Sequence, residues 1–511
     1  MQFHWKVLAW MLAGVLVGLG MQSALDAPAY SGASFAAADG GGLVLVEANG
    51  PAAKAKGLAV GDVVSAAIVG RGRDDERRTE LSTPEDFEGF LGASENGQLL
   101  WLEVVGREKP ASMTLIMDPS SPRARWLRPF EFVAGLFMRL LRMLIVPLVL
   151  CSIVSGVAGV GGMGDLKRLG GKTFAYYVST SVLAILLGQV LVNLIGPGRN
   201  AQLGLSPLEE EDYASDDSFI GVIERMIPEN VLGAMTDNGA MLAIIFFALM
   251  LGVFITRSEE PHRERLKGLF ESGFHVMLRM AEGVLTLLPY GVFALMVRVV
   301  AKTGFAVFEP LALYMITVLA ALLLHAGMTL PLLLSLVGKL SPRRWFRAMS
   351  PALMTAFSTS SSSMTLPVTM ETVKERGKVS PRVTSFTLPL GSTINMDGTA
   401  LYECIGVIFL AQYYATSGGE FDLTLGKQAL VVIMALTASI GAAGIPSAGL
   451  VMMLTILSTL GLPLEGAALI LAVDRPLDML RTVVNVWSDS CGAAVIARSE
   501  GEEGPLSAGE A

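Results

Sequence analysis

The sequence predicts an all-α polytopic membrane protein that carries one small extramembrane domain. The 511-residue chain is 52% hydrophobic and only 16% charged, and its mean hydropathy is +0.55. This balance is typical of a membrane protein rather than a soluble enzyme. Apolar stretches long enough to cross a bilayer recur along the chain, whereas residues 26–122 have a soluble composition that includes RGRDDERR at Arg71–Arg78.

Composition excludes several function classes. The formal net charge is −8 and the chain has no basic tail, so we expect no nucleic-acid partner. The cysteines Cys151, Cys404 and Cys491 fall in apolar stretches and form no disulfide or zinc pattern. The four histidines (His4, His262, His275 and His325) show no spacing typical of metal ligands.

The amino-terminal apolar run has two interpretations. Lys6 precedes Val7–Leu25, and small residues follow at Ala36–Ala38, as they do after a signal peptide. However, the run has about 19 residues, which is long for a signal peptide and enough to span a bilayer. We favour a retained first transmembrane helix within residues 1–25.

Residues 26–122 form a separate α+β insert. Alternating apolar residues at Leu99–Val105 and Ser112–Met117 predict strands. The segment Gly41–Gly70 resembles part of a bacterial PDZ domain, which implies a second helix at Asp86–Leu91 and a carboxylate-binding loop near Phe35–Gly42. PDZ domains bind extended peptides by strand addition. A peptide or protein partner and a β-rich spacer without a ligand both stay open.

The loops between the apolar segments predict the orientation of the chain. Basic residues concentrate in the loops at 167–172, 257–267, 339–347 and 374–382. The positive-inside rule then places these loops and the amino terminus in the cytoplasm and the insert on the outer side. The apolar segments after the insert are Phe130–Val160, Phe174–Ile195, Gly239–Ile255, Phe274–Val300, Leu311–Val337, Leu388–Ala411, Gln428–Leu460 and Leu469–Ala497.

This orientation requires two stretches that enter and leave the membrane on the same side. Ala352–Val373 would do so from the cytoplasm and Gln428–Leu460 from outside. Both contain helix-breaking runs, AFSTSSSSMTLP at Ala356–Pro367 and SIGAAGIPSAG at Ser439–Gly449. Broken helices at membrane depth are tolerated only where they are buried or line a cavity, and they often form transporter binding sites.

Between the broken segments lies the motif NMDGT, in which Asn395 and Asp397 interrupt an apolar helix. An unwound turn there offers carbonyl, amide and carboxylate oxygens, which suit a small hard cation such as Na⁺. Glu403 lies four residues after Thr399 and shares its helix face. A desolvated carboxyl group at that position is suited to carry a proton.

The last apolar segment carries a polar stripe. Its residues are spaced by four, three, four and four positions and therefore share one helix face: Asp474, Asp478, Arg481, Asn485 and Asp489. Charged groups at membrane depth each cost about 2.5–3.5 kcal/mol on insertion scales, so they usually face a cavity or a partner. Five polar residues on one face, four of them charged, predict the lining of a polar path.

Four motifs in this order resemble the dicarboxylate/amino acid:cation symporter family, which contains the glutamate transporters. They are STSSSSMTLPVTM, LPLGSTINMDGTALYE, SIGAAGIPSAG and the DxxxDxxRTxxNxxxD pattern of Asp474–Asp489. The resemblance covers Pro129–Arg498. It implies a homotrimer with eight transmembrane helices and two re-entrant hairpins, at about 345–375 and about 428–462, within a transporter core of residues 123–498.

The resemblance also implies a mechanism and a location. One group of helices would carry the substrate across the bilayer past a fixed scaffold, as an elevator does. The protein would lie in a bacterial inner membrane, with both termini cytoplasmic and residues 499–511 as a disordered tail.

Site roles follow from the same resemblance. Arg481 would grip the side-chain carboxylate of an acidic amino acid, and Asp478 would take its α-ammonium group. The other implied substrate residues are Ser361, Ser362, Met396, Thr399, Ile445, Gly449, Thr482 and Asn485. The pair of Arg481 and Asp478 favours aspartate or glutamate as the substrate over the alternatives, which are a C4-dicarboxylate and a neutral amino acid.

Three Na⁺ sites and one proton carrier are implied as well, with no organic cofactor. The first Na⁺ group is Asp489 with backbone oxygens of Gly391, Asn395 and Asn485. The second is Asp397 with the side chains of Asn395, Tyr177, Thr180 and Ser181. The third is Thr393, Ser439, Ile440 and Ala442. Glu403 matches the proton-carrying glutamate.

The sequence departs from the family pattern in the insert and in one charge. Many members have a further arginine at the position of Ser360 or Met479, and Arg475 stands at neither place. We therefore expect a site that is one positive charge short. The chain has no HExxH or GxSxG motif, so a membrane protease and enzyme function in general are not expected. A transporter-derived sensor acting through the insert is a weaker alternative.

Overall fold

A computed structural model of the chain describes residues 3–38, 41–55, 57–69, 76–94, 96, 98–107, 110–159, 164–199, 201, 203, 224, 226–236, 240–416, 421–441 and 448–503. Helices dominate this part of the chain. The α-helices are α1 (Phe3–Ala24), α2 (Pro84–Gly92), α3 (Pro122–Gly159), α4 (Gly164–Ile195), α5 (Val231–Thr236), α6 (Met241–Arg257), α7 (His262–Leu285), α8 (Leu288–Thr303), α9 (Phe308–Leu324), α10 (Leu330–Leu336), α11 (Pro342–Thr359), α12 (Ser362–Glu375), α13 (Pro381–Ile394), α14 (Asp397–Thr416), α15 (Leu425–Gly441), α16 (Ala448–Thr459) and α17 (Glu465–Ser499).

Length and composition identify membrane-spanning candidates among the described residues. Four helical stretches are long and apolar enough to cross a bilayer: Pro122–Ala158, Arg168–Ile195, Leu288–Leu336 and Pro381–Thr416. Shorter apolar helices cover Ala9–Ala24, Ala243–Arg257 and Leu425–Ser439. Helix α17 has 35 residues, and its polar stripe makes it less apolar than these four. A helical membrane protein is therefore supported, and the count of eight spans stays a prediction.

One segment predicted to be continuous is divided in the structure. Phe274–Val300 separates into α7, which ends at Leu285, and α8, which begins at Leu288. Pro289 lies in the first turn of α8, where the missing N–H of proline breaks no helical hydrogen bond. By contrast, Pro147 lies inside the continuous helix α3.

Helix α14 is the centre of the membrane region. Every residue from Asp397 to Tyr414 is buried, which is the pattern of a helix enclosed on all sides. It packs against α4, α9, α15, α16 and α17. A second group of contacts joins α1 to α8 and α3 to α6, α7 and α8. The packing thus has two centres. The one around α14 includes the second broken segment, α15 and α16, directly, and α17 connects it to the first broken segment, α11 and α12.

The insert is a small antiparallel sheet with one helix against it. Its strands are β1 (Ala29–Tyr30), β2 (Ala33–Ala37), β3 (Leu43–Ala48), β4 (Val63–Val69), β5 (Arg77–Glu80), β6 (Leu99–Val104), β7 (Ala111–Thr114) and β8 (Ile116–Met117). The main sheet has the order β2-β3-β4-β6-β7, β5 also pairs with β4, and β1 pairs with β8. The predicted second helix of the insert lies within α2, and the PDZ assignment itself stays a prediction.

Helix α2 begins with a capping box. The Thr83 hydroxyl accepts from the Asp86 backbone N–H, and the Asp86 carboxylate accepts from the backbone N–H of Thr83. The backbone N–H groups of Thr83 and Ser82 both donate to this carboxylate and lower the pKa of Asp86. Such boxes satisfy N–H groups that the first helical turn leaves unpaired, so the local sequence determines where α2 begins.

Arg123 joins the two ends of the insert to the membrane helices. It lies in the first turn of α3 and is 9% exposed. Its guanidinium donates to the carbonyl oxygens of Gln22 (2.8 Å) and Leu25 (2.6 and 2.9 Å) at the end of α1, and of Ala301 (3.3 Å) in α8. Carbonyls at helix ends lack intrahelical partners, and one side chain pairs several of them here.

Three of the predicted basic segments approach the end of α17, although the predicted loop at 167–172 is wrong because these residues lie in helix α4. Glu500 accepts from Arg168 and from Lys172, each at 2.6 Å, and these contacts lower the pKa of the Glu500 carboxyl. Arg498 donates to the carbonyl of Gly338, and Glu502 accepts from Ser380. The segments beside these residues therefore lie at one end of the molecule, and the side of the membrane that this end faces stays a prediction.

Replacing Arg123 with methionine should destabilise the protein, because it leaves the carbonyls of Gln22, Leu25 and Ala301 without this donor. An unpaired buried polar group costs about 1–3 kcal/mol, so we expect a clear drop in the melting temperature of purified protein in detergent. Arg125→Met is the matched control, since Arg125 is exposed and its guanidinium donates to the Ser120 carbonyl within the same turn of chain. Equal melting temperatures for the two variants would contradict this role.

Candidate functional site

The first broken segment is a helical hairpin whose tip is buried. Helix α11 ends at Thr359, and Ser360 has a φ of 51°, in the left-handed region that reverses the chain. Ser361 caps α12, because its hydroxyl accepts from the backbone N–H of Met364 at 3.2 Å. Ser360, Ser361 and Ser362 are at most 4% exposed. The serine run therefore places hydroxyls and a helix start, whose first N–H groups have no partner within the helix, inside the protein.

The second broken segment approaches the same region. Helix α15 ends at Gly441 and α16 begins at Ala448. A Cβ atom on Gly449 would lie 3.0 Å from Arg481 Nη1 and 3.0 Å from Thr399 Cγ2. Glycine is thus the residue that allows α16 to approach this arginine. Two predicted site residues, Ala442 and Ile445, and the side chain of Ile440 lie outside the described residues.

Arg481 is the most enclosed charge of the polar stripe. Its side chain is 1% exposed, its Nη2 donates to Asp478 Oδ1 at 2.7 Å, and the same nitrogen lies 3.0 Å from Asp474 Oδ1. The guanidinium carbon lies 3.7 Å from the centroid of the Tyr402 ring, a cation–π contact. Its Nε and Nη1 are buried and have no hydrogen-bond partner, so they can receive a carboxylate.

The expected shortage of one positive charge is wrong. Arg475 Nη1 donates to Asp478 Oδ2 at 3.1 Å, so this carboxylate contacts two guanidinium groups. Residues three apart are neighbours on a helix surface, which places Arg475 within reach of Asp478 from its own position. Neither Ser360 nor Met479 needs to be arginine for this contact to form.

The start of α14 docks on α17 through Asn485. The Asn485 amide oxygen accepts from the backbone N–H of Gly398 at 2.8 Å, and its amide nitrogen donates to the Thr399 hydroxyl at 3.2 Å. Thr482 donates to the Asp478 carbonyl at 2.9 Å, and Met396 is 2% exposed. The predicted substrate residues of α14 and α17 are therefore neighbours.

The predicted unwound turn is present, since Asn395 and Met396 lie outside α13 and α14. Next to it, the Asp397 carboxylate accepts from Ser181 at 2.7 Å and from Thr180 at 3.3 Å. The Thr180 hydroxyl lies equally close to the Asn395 amide oxygen, at 3.3 Å. The packing of α4 against α14 thus brings together most residues of the second predicted cation group.

Sequence reasoning missed two further partners of Asp397. Ser488 donates to its Oδ2 at 2.6 Å, and His325 Nε2 lies 3.1 Å from the same oxygen. An ionised carboxylate only accepts, so it would take this hydrogen bond from an Nε2–H group. His325 begins a π-helical turn, His325–Thr329, between α9 and α10. Both residues gave a signal: Ser488 continues the stripe at three positions after Asn485, and a histidine within an apolar span is unusual.

Asn395 connects the two buried carboxylates. Its amide nitrogen donates to Asp489 Oδ1 at 2.9 Å and to Ser488 at 3.0 Å. A Cβ atom on Gly391 would touch Asp489 and lie 2.7 Å from the Tyr177 hydroxyl. That hydroxyl donates to the Thr387 carbonyl at 2.9 Å. The first and second predicted cation groups are therefore adjacent and rich in oxygen.

The remaining predicted residues lie nearby but form fewer contacts. Thr393 donates to the Leu390 carbonyl in its own helix, and Ser439 donates to that of Leu436. Their helices, α13 and α15, pack against each other. Glu403 is fully buried, and both of its carboxyl oxygens lack a hydrogen-bond partner. Among the described residues, no group of three His, Cys, Asp or Glu could hold a metal ion.

Comparison with known proteins identifies the family. The model of the sodium:dicarboxylate symporter family matches residues 122–499. The chain belongs to this family. The symporter is 34% identical to excitatory amino acid transporter 3 of Oryctolagus cuniculus over 425 residues, which is 73% of this chain and 80% of the relative. It is 32% identical to excitatory amino acid transporter 1 of Ambystoma tigrinum over 476 residues, covering 82% and 86% of the two chains.

The resemblance drawn from the four motifs is thereby confirmed, and the family consists of transporters. The matched region begins at residue 122, so it excludes the insert. The symporter also shares 32% identity with excitatory amino acid transporter 4 of Mus musculus over 456 residues, 75% of this chain and 80% of the relative.

The contact between α14 and α17 at Gly398 should tolerate no side chain. A Cβ atom there would lie 2.7 Å from the Arg481 carbonyl oxygen and 3.1 Å from its Cα, and backbone cannot move aside as a side chain can. We expect Gly398→Ala in this symporter to lower the melting temperature, because overpacking costs about 1–3 kcal/mol.

The matched control is Gly406→Ala in the same helix. Its Cβ atom would meet the end of the flexible Met453 side chain, with the Ile470 Cδ1 atom at 3.4 Å, and methionine adapts readily to small changes. A loss of stability in Gly406→Ala as large as that in Gly398→Ala would show that the Arg481 backbone is not the determining contact.

Proposed function

We propose that the protein is a secondary active symporter that imports aspartate or glutamate together with Na⁺. The observation that carries this proposal is Arg481, a fully buried guanidinium with two unpartnered nitrogens beside a buried carboxylate, Asp478. A planar guanidinium recognises a carboxylate through two parallel hydrogen bonds. The names of the relatives, excitatory amino acid transporters, agree with an amino acid substrate.

The substrate would lie between the hairpins and α17. Arg481 would hold its side-chain carboxylate and Asp478 its α-ammonium group. Asn485 and Ser362, with N–H groups at the start of α12, would hold its α-carboxylate. Hydroxyls of Thr399 and Thr482 would complete the polar contacts. Met396, Ile445 and Gly449 would close the site, the last two from the second hairpin.

Alternative substrates fit this charge pattern less well. A C4-dicarboxylate has no ammonium group to pair with Asp478, and a neutral amino acid has no second carboxylate for Arg481. Each alternative would therefore lack one of the two charged groups that Asp478 and Arg481 would bind.

Na⁺ would bind at the adjacent oxygen-rich groups. Asp397 and Asp489 are at most 3% exposed and are surrounded by hydroxyl and amide groups. Small hard cations prefer oxygen ligands, and a bound cation would offset the charge of each carboxylate. A third Na⁺ would use Thr393, Ser439, Ile440 and Ala442. We assign a proton to Glu403, because its buried carboxyl group has no hydrogen-bond partner.

The helix contacts support an elevator mechanism. Helices α1, α3, α6, α7 and α8 would form the scaffold, and the group around α14 would move together with both hairpins. One ion pair joins the two groups, from Arg298 in α8 to Glu465 in α17 at 3.0 Å. A homotrimer in a bacterial inner membrane, with cytoplasmic termini and the insert outside, completes the proposal. A peptide partner for the insert is the least supported part.

The direct test is uptake of labelled L-aspartate into proteoliposomes that contain the full-length protein. We expect accumulation with an inward Na⁺ gradient and none when Na⁺ is replaced by choline. A separate arm imposes a proton gradient, and Glu403→Gln should remove any dependence on it. Uptake that responds to neither the Na⁺ gradient nor the proton gradient would contradict the proposal.

Arg481→Thr is the matched variant for this uptake assay. A buried charge pair that loses one partner costs about 3–5 kcal/mol, so aspartate uptake should fall by about a hundredfold or more. Uptake of a neutral amino acid such as serine should be retained or gained. Unchanged aspartate selectivity would remove Arg481 from the substrate site.

His325→Leu should weaken Na⁺ activation of uptake. The substitution conserves the bulk of a fully buried side chain but removes a donor that orients Asp397. Loss of such an orienting partner typically lowers metal affinity by about 10–100-fold, and we expect a rise of about tenfold in the Na⁺ concentration for half-maximal uptake. His275→Leu, at an exposed site in α7, should leave it unchanged.

A further inference from the structure

The polar stripe of α17 contains an alternating chain of charges. Arg475 Nη1 donates to Asp478 Oδ2 at 3.1 Å, and Arg481 Nη2 donates to the other oxygen, Oδ1, at 2.7 Å. The same Arg481 nitrogen lies 3.0 Å from Asp474. Two guanidinium groups and two carboxylates therefore alternate within two helical turns, and their formal charges sum to zero.

The members of this chain differ in exposure. The Arg475 side chain is 15% exposed, that of Asp478 is 7% exposed and that of Arg481 is 1% exposed. Opposite charges attract more strongly as water is removed, so the Arg481–Asp478 ion pair is strong. Without Arg475, both Asp478 oxygens would be available to Arg481 alone. Arg475 binds one of these oxygens from the more exposed side and divides the carboxylate between two partners.

The charge balance has a consequence for substrate choice. An acidic amino acid adds a net charge of −1 to this neutral group, whereas a neutral amino acid adds none. Removing Arg475 would leave a net charge of −1 before any substrate binds. The acidic substrate would then meet a like charge in a buried region, where such repulsion is strong, and the neutral one would not.

We propose that Arg475 is a specificity-determining residue that keeps the site selective for acidic over neutral amino acids. It does so by holding Asp478, which leaves the Nε and Nη1 groups of Arg481 available for the substrate carboxylate. Arg475 acts through Asp478 and Arg481 and is therefore a positioning residue. This inference rests on the proposed function, because it takes an acidic amino acid as the substrate.

The test compares Arg475→Met with wild type as full-length protein in proteoliposomes under an inward Na⁺ gradient. The measurements are the KM for labelled L-aspartate and the concentration of L-asparagine that halves aspartate uptake. Asparagine has nearly the shape of aspartate but lacks its side-chain charge. In Arg475→Met we expect the aspartate KM to rise about tenfold, which corresponds in size to the loss of a partly buried charge interaction. The asparagine concentration that halves aspartate uptake should stay equal or fall.

Two further variants sharpen the comparison. Arg475→Lys keeps the positive charge and should keep the aspartate-to-asparagine preference within about threefold of wild type. Arg279→Met removes a guanidinium with the same spacing to its partner, since Arg279 donates to Glu282 at 3.0 Å three residues later. Arg279 is 84% exposed in α7, a helix that packs against α3 and α6, so this control should leave both values unchanged.

The outcomes are distinct. An unchanged preference in Arg475→Met overturns the inference, and so does a parallel loss for aspartate and asparagine, which indicates a structural role only. Wild-type protein that takes up no aspartate refutes the proposed function itself. If the wild-type protein takes up aspartate and Arg475→Met keeps the same preference for aspartate over asparagine, only the role of Arg475 is refuted.

Discussion

The buried guanidinium of Arg481 is the constraint on which the rest of the site depends. A charge without water must be paired, hydrogen-bonded or placed against an aromatic face, and all of these partners are present. Asp478 and Asp474 provide opposite charge from the same helix, and Tyr402 provides a ring from α14. The second hairpin approaches it through Gly449. The positions of α14, α16 and α17 relative to one another follow from these contacts.

The interruptions of the helices are the second requirement. Irregular backbone at membrane depth is tolerated only where protein or a cavity surrounds it, and Asn395 at the break before α14 is fully buried. Its amide contacts Asp489 and Ser488, while Asp397 starts the next helix. The break therefore frees Asn395 to contact Asp489 and Ser488 of α17, and Ser488 in turn donates to Asp397 of α14.

Local signals predicted much of this arrangement. The serine run predicted the reversal at Ser360, NMDGT predicted the unwound turn, and the four-three-four-four spacing predicted the shared face of α17. The exceptions have physical causes. Phe274–Val300 is predicted as one continuous span, yet Pro289 fits the first turn of a new helix as well. The missing charge was inferred from two positions only, whereas an arginine three residues before Asp478 reaches the same carboxylate.

The sequence by itself determined the family, the helical membrane architecture, the broken segments and the polar face of α17, because periodicity and helix-breaking residues are local properties. Only the tertiary structure decided which partner each polar side chain takes. His325 and Ser488 are 72 and 91 residues from Asp397 and share its Oδ2 oxygen. No local pattern encodes such a contact, because it exists only once α9, α14 and α17 pack together and exclude water from the carboxylate.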